Sequence, residues 1–174
     1  MSSYQPIHID NLAAIQKQAL LQIPLARLHQ TGLFYLENNT QDCLGIPELQ
    51  EALTDLQLRH HVSGIAVYVL CPGTEPSIHK DSGHIQYSIN IPLSGCDNTF
   101  VNFYQSHEPP QSRVSPSGHR YWHWPIEACE LVDQLEMTTP HIINVKNIHA
   151  VVNSNTQTRI TLLIRLQKSV GVLF

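Results

Sequence analysis

The chain is short of charge, aromatic surface and long apolar runs, and each shortage narrows what it can be. Charged residues make up 14% of its 174 positions and aromatics 7%. Lys and Arg number 10 against 14 Asp and Glu, for a net charge of −4, and nowhere do the basic residues cluster. Neutralising a phosphate backbone takes grouped Lys and Arg, so the composition argues against nucleic acid as a partner. The four cysteines, Cys43, Cys71, Cys96 and Cys129, lie far apart without a CxxC spacing, which argues against a structural zinc site or a thioredoxin-like motif. No secretory leader pattern and no apolar run of about 18 residues is present, so a cytoplasmic protein with reduced thiols and no membrane partner is expected. No internal repeat is visible. What remains is an ordinary globular composition, 42% hydrophobic, and a length that fits one domain over 1–174, burying roughly 70% of its unfolded surface.

Two textures follow one another along the chain. Residues 1–61 read as an N-terminal helical region. Asp10 and Asn11 are placed to cap an amphipathic helix over 12–21, which must stop before Pro24; a second helix over 46–58 carries Pro47 in its first turn. Residues 32–36 are strand-like. From residue 62 to 168 short apolar runs alternate with turn signals, the pattern of a closed or sandwiched antiparallel sheet. The strands read as 63–71, 77–81, 85–93, 99–104, 141–145, 148–152 and 159–166. Residues 129–136 fit strand or helix equally, and the Pro/Ser-rich stretch 109–118 reads as a loop within an insertion over 105–128.

The chemistry concentrates in His79-Lys-Asp81, followed seventy residues later by His149 and ten after that by Arg159. Residues i and i+2 of a strand point the same way, so an extended 77–81 would aim His79 and Asp81 at one ion. Two histidines and one carboxylate can occupy one face of a divalent metal and leave the other open, the arrangement of non-haem Fe(II) oxygen chemistry. Arginine supplies a planar cationic fork suited to a carboxylate. A second His-x-Asp, His8-Ile-Asp10, precedes a helical segment near a mobile terminus, with no sheet before it, and is set aside as a decoy.

Several stretches together resemble the Fe(II)/2-oxoglutarate-dependent oxygenases, and among them the small stand-alone bacterial and phage members. These are Tyr68 to Gly73, Ser77 to Asp81, the Asn90-Ile-Pro-Leu93 stretch continuing to Cys96-Asp-Asn-Thr99, Ile148 to Asn153, and Thr158 to Arg165. The resemblance implies a mainly β fold, a double-stranded β-helix (jelly roll), with the N-terminal helices packed outside it. It implies Fe(II) held by His79, Asp81 and His149, and 2-oxoglutarate bound through its distal carboxylate by Arg159, with Thr161 adding a hydroxyl and Arg165, on the same face, as the alternative cation. Ser88 and Asn90 would face the co-substrate, with Tyr87 on the opposite face. The activity implied is an oxygenase reaction, hydroxylation of an unidentified small molecule or protein side chain, with O2 and 2-oxoglutarate as co-substrates.

Other histidines read more plainly. His60-His61 fits a solvated helix end, His107, His119 and His123 a solvated loop, and His141 a structural role, while His84 fits either a pocket wall or the surface. The aromatic run Arg120-Tyr-Trp-His-Trp-Pro125 fits either a lid over the barrel mouth or packing of the insertion. Two rival functions share the fold: a cupin-type metal enzyme that does not use 2-oxoglutarate, and a non-catalytic jelly-roll binding protein.

Overall fold

The computed structural model describes residues 2–36, 43–81, 83–114 and 120–167; His119, the rest of the expected loop at 115–118, and residue 168 lie outside them. The described residues are mainly β, in two antiparallel six-stranded sheets. The first has the order β1 (Tyr4–Pro6), β10 (His141–Asn144), β5 (Ile85–Ser94), β12 (Arg159–Gln167), β3 (Val62–Leu70), β2 (Gly32–Tyr35). The second runs β7 (Gln111–Val114), β8 (Arg120–His123), β4 (His79–Asp81), β11 (Ile148–Asn153), β6 (Thr99–Ser106), β9 (Cys129–Glu136). The ambiguous segment 129–136 is therefore a strand. The expected loop 109–118 carries strand β7 in its described part, which finds its partner in β8. Helix α1 (Leu12–Leu21) begins at Asn11, whose side chain makes no capping bond because the residue is left-handed, and α2 (Pro47–Asp55) begins at Pro47.

The alternation along β12 decides where the site lies. Ile160, Leu162, Ile164 and Leu166 join Ile15, Ala19, Leu49 and Leu53 of the two helices in one buried cluster. They seal the outer face of the first sheet, each buried aliphatic side chain contributing about 2 kcal/mol. The period of two then turns Arg159, Thr161, Leu163 and Arg165 into the space between the sheets. Part of that space is apolar, filled by Val101, Phe103, Leu135, Met137, Ile143 and Val145, with Tyr4 stacked on Phe103. The remainder is polar. Tyr87 packs with the helices while Ser88 and Asn90 are buried beside β12 on the inner face, as the alternation of β5 requires.

The turn before β6 sets the entry of β12. Gly95 has φ +60°, and a Cβ there would run into the carbonyl oxygen of Thr158, the residue before Arg159. Gly95→Ala is expected to cost at least about 2 kcal/mol, from left-handed strain plus a backbone clash; urea denaturation checks it, and an unchanged midpoint would contradict this packing.

Candidate active site

His79 and His149 are directly opposed on neighbouring strands β4 and β11, with ring centroids 4.5 Å apart. Each ring is fixed in the same way. Nδ1 of His79 donates to the Ser77 carbonyl at 2.8 Å, and Nδ1 of His149 to the Asn147 carbonyl at 2.9 Å. With Nδ1 of each ring given to a carbonyl, Nε2 is the nitrogen left to meet a metal. Asp81, two residues along β4, turns Oδ1 to within 3.7 Å of Nε2 of His79. Its backbone is pinned: the amide donates to the Val145 carbonyl, and Lys146 Nζ donates to the Asp81 and Gly83 carbonyls. The other carboxylate oxygen, Oδ2, accepts from Arg165 Nη1 at 3.0 Å. Among the described residues, no group of three His, Cys, Asp or Glu stands at metal-ligating geometry; the carboxylate is held toward Arg165.

The electrostatics favour ligand-ready groups. Burial alone would raise the Asp81 carboxyl, but Arg165, backed by His79 and His149, outweighs it and holds the group below the usual carboxylate range. Burial, reinforced by His79, pushes His149 down to about 4 against an opposing pull from Asp81. Because the folded value is depressed, the unfolded chain takes up the proton first as pH falls from about 6.5 towards 4. Apo-protein stability is therefore full above that window and declines within it, by on the order of 3 kcal/mol for this group. Urea midpoints at pH 7.5 and 4.5 measure the decline, and His149→Gln should flatten it; an unchanged slope would contradict the buried neutral ring.

Arg159 lies deeper between the sheets and is wholly buried. None of its Nε, Nη1 and Nη2 atoms has a hydrogen-bond partner. Burial works against its charge, while the Cys96 thiol and Tyr68 phenol beside it work for it; an arginine keeps its proton regardless. Thr161 is buried on the same face, opposite Tyr68 of β3. The strand start is fixed by Asn153, whose amide donates to the Leu70 and Gln157 carbonyls, and by the Cys96 thiol, which donates to the Ile160 carbonyl. Three guanidinium nitrogens without a protein partner, next to a hydroxyl and a phenol, fit a carboxylate. Ser88 and Asn90 share the inner face, and Ser88 donates to Asn90 Oδ1 at 2.8 Å. Arg165, the alternative cation, is committed to Asp81.

Strand β8 adds residues that sequence reasoning missed. His123 is the cross-strand partner of His79, and Tyr121 of Asp81. Tyr121 meets the His79 ring edge-on at 5.9 Å, and burial together with Arg113 and His79 lowers the His123 imidazole. His123 is thus a strand residue on the site's own face rather than a solvated loop histidine. Trp122 and Trp124, at the alternate positions, point the other way. Trp124 packs on Ile78 and Ala150 behind the second sheet, and its indole donates to the Glu108 carbonyl. The signal was the alternation Tyr-x-His within 120–123, obscured by the Pro/Ser-rich residues before it. His84 is exposed, as is His107. His141 is buried, donating to the Thr139 carbonyl.

No protein-family model and no curated protein matches the chain. Solved structures do. EvdMO1 superposes with a TM-score of 0.55 at 14% identity over 97% of this chain, which spans 48% of that protein. AviO1 from Streptomyces viridochromogenes Tue57 gives 0.54 at 14% identity, over 97% of this chain and 90% of that one. A prolyl hydroxylase from Trichoplax adhaerens, solved with a hypoxia inducible factor peptide, gives 0.50 at 10% identity over 95% and 84%. The chain shares its fold with these three solved structures.

Proposed function

We propose that the protein is a non-haem Fe(II)- and 2-oxoglutarate-dependent oxygenase, a hydroxylase acting on a small molecule or a protein side chain. The observation that carries this reading is the pairing of two Nδ1-anchored histidines and Asp81 at one level of the barrel with a buried, unpartnered guanidinium, Arg159, on the facing sheet. Strands β3, β4, β5, β6, β9, β10, β11 and β12 then form a double-stranded β-helix over 62–168. Helices α1 and α2 pack outside it, β1 and β2 extend the first sheet, and β7 and β8 widen the second. The free thiols of Cys71, Cys96 and Cys129 suit a reducing cytoplasm; among the described residues no helix is long and apolar enough to cross a membrane.

In this reading His79, Asp81 and His149 hold Fe(II) on one face. Arg159 receives the distal carboxylate of 2-oxoglutarate, with Thr161 and Tyr68 supplying hydroxyls beside it. Bound iron supplies the oxidising chemistry, coupling decarboxylation of 2-oxoglutarate by O2 to oxidation of a substrate C–H bond. The chain's part is geometric. Arg165 fixes the direction of the Asp81 carboxylate, the Ser77 and Asn147 carbonyls fix the two rings, and the apolar walls of Val101 and Phe103 limit water.

The test is an anaerobic titration of apo-protein with Fe(II) and then 2-oxoglutarate, following the weak visible charge-transfer band of the chelated ferrous complex. A band in the wild type that is lost in His79→Ala and Arg159→Ala supports the assignment. Fe(II) binding without a band would promote the cupin-type enzyme, and no Fe(II) binding the non-catalytic barrel.

A further inference from the structure

The β7–β8 hairpin does more than widen the sheet. Residues opposed across antiparallel strands share a face, so the registers Arg113↔Tyr121 and Tyr121↔Asp81 put Arg113 and Tyr121 in one row with Asp81. The registers Gln111↔His123, His123↔His79 and His79↔His149 put Gln111 and His123 in the next row, with the two site histidines. Four side chains of the hairpin thereby form a ledge continuous with the candidate metal face. The ledge has a cation at its outer end. Arg113 is exposed. Its guanidinium meets a neutral acceptor, Gln111 Oε1, at 3.5 Å. The Asp81 carboxylate in the neighbouring row belongs to Arg165. At the inner end, Nδ1 of His123 is buried without a hydrogen-bond partner.

We infer that this ledge is the prime-substrate subsite and that Arg113 selects substrates bearing an anionic group, a carboxylate or a phosphate. The inference rests on the oxygenase reading for the identity of the reacting centre. Arg113 is two strands from Asp81, a backbone separation of roughly 10 Å, two interstrand spacings. Tyr121 and His123 line the path between, with a phenol and an imidazole to hold polar groups of the substrate. Arg159, buried on the facing sheet, remains the site of the co-substrate, so two carboxylate-binding arginines serve two different molecules. A guanidinium is the side chain suited to a planar or tetrahedral oxyanion.

Calorimetric titration of the full-length protein with phenylphosphonate, benzoate and the neutral isostere benzamide tests this. The protein carries Arg159→Gln and is kept metal-free, so that neither the co-substrate arginine nor an ion can capture the probe. The expected result is anion affinity at least about 10-fold above that of benzamide, the preference disappearing when Arg113→Gln is added. Equal affinity for benzamide and the anions, no measurable anion binding, or anion binding that survives Arg113→Gln would each overturn the inference. In parallel, Fe(II)-loaded protein with Arg159 intact is titrated with 2-oxoglutarate, with and without Arg113→Gln. Unchanged 2-oxoglutarate affinity supports separate sites, and an equal loss assigns Arg113 to the co-substrate and overturns the ledge. Failure of 2-oxoglutarate to bind the wild type would sink the oxygenase reading while leaving the anion titration to be judged on its own result.

Discussion

Replacing Arg159 with methionine is expected to make the apo-protein more stable and blind to 2-oxoglutarate. The guanidinium has no exposed surface and none of its three nitrogens has a partner. Taking a charge out of water costs several kcal/mol unless an opposite charge or a full set of hydrogen bonds compensates. The Cys96 thiol and the Tyr68 phenol beside the guanidinium favour the charge, but neither replaces the full set of hydrogen bonds that water would supply. A methionine of similar volume removes the charge and keeps the packing, so the gain should be about 1–4 kcal/mol, or roughly 3–12 °C in melting temperature for a domain of this size. Ligand dependence should reverse the order. In Fe(II)-loaded protein, 2-oxoglutarate at about one hundred times Kd should add about 2.7 kcal/mol to the wild type. The variant should gain nothing from 2-oxoglutarate, its affinity reduced at least ~100-fold by the loss of two charge-assisted hydrogen bonds to a carboxylate. Differential scanning fluorimetry with and without the co-substrate reads both effects. A variant that melts below the wild type without ligand would mean that Arg159 is satisfied within the protein and that its role is structural.

This pairing of an unstable position with a functional one was half legible in the sequence. The period of two along 159–166 marks Arg159, Thr161 and Arg165 as sharing a face, and the same rule joins His79 to Asp81 and Ser88 to Asn90. Which arginine meets which acid depends on the register between strands far apart in sequence. Arg165 reaches Asp81 across 84 positions, and no local pattern encodes that. The same limit hid β8: Tyr121 and His123 belong to the site only because β8 pairs with β4, while the stretch before them carries the prolines and serines of a loop. The carbonyls that fix His79 and His149 are backbone atoms, so composition could not name them. The His8-Ile-Asp10 motif shows the same limit from the other side. Its sequence reads as having no sheet before it, yet strand β1 precedes it and pairs with β10, while His8 and Asp10 form an exposed pair at 2.9 Å, 90% and 80% solvent-accessible at their side chains.

The three candidate ligands should separate when each is removed. His79→Ala, His149→Ala and Asp81→Ala are all expected to abolish tight Fe(II) binding, since a facial triad deprived of one donor keeps only two. Their effects on apo-protein stability should differ in kind. His79 is 26% exposed at its side chain and its ring donates only to Ser77, so its loss should cost under about 1 kcal/mol, as for a half-exposed residue with one hydrogen bond. Asp81 is the acceptor for Arg165, whose Nε already has no partner. Breaking a buried ion pair from one side costs about 3–5 kcal/mol; with the partners 17% and 18% exposed, screening should reduce this to about 2 kcal/mol, or roughly 4–8 °C. Adding Arg165→Met to Asp81→Ala removes the stranded cation and should recover most of the loss, so the double-mutant cycle gives a coupling energy where neither single variant can. If His79→Ala and Asp81→Ala melt together, or Arg165→Met fails to rescue, the ion pair is incidental and Asp81 owes its direction to the backbone bonds of Val145 and Lys146 alone. Recovery would show that Arg165 holds the carboxylate through Oδ2 in the absence of metal, so that Oδ1 is turned toward His79 before an ion arrives.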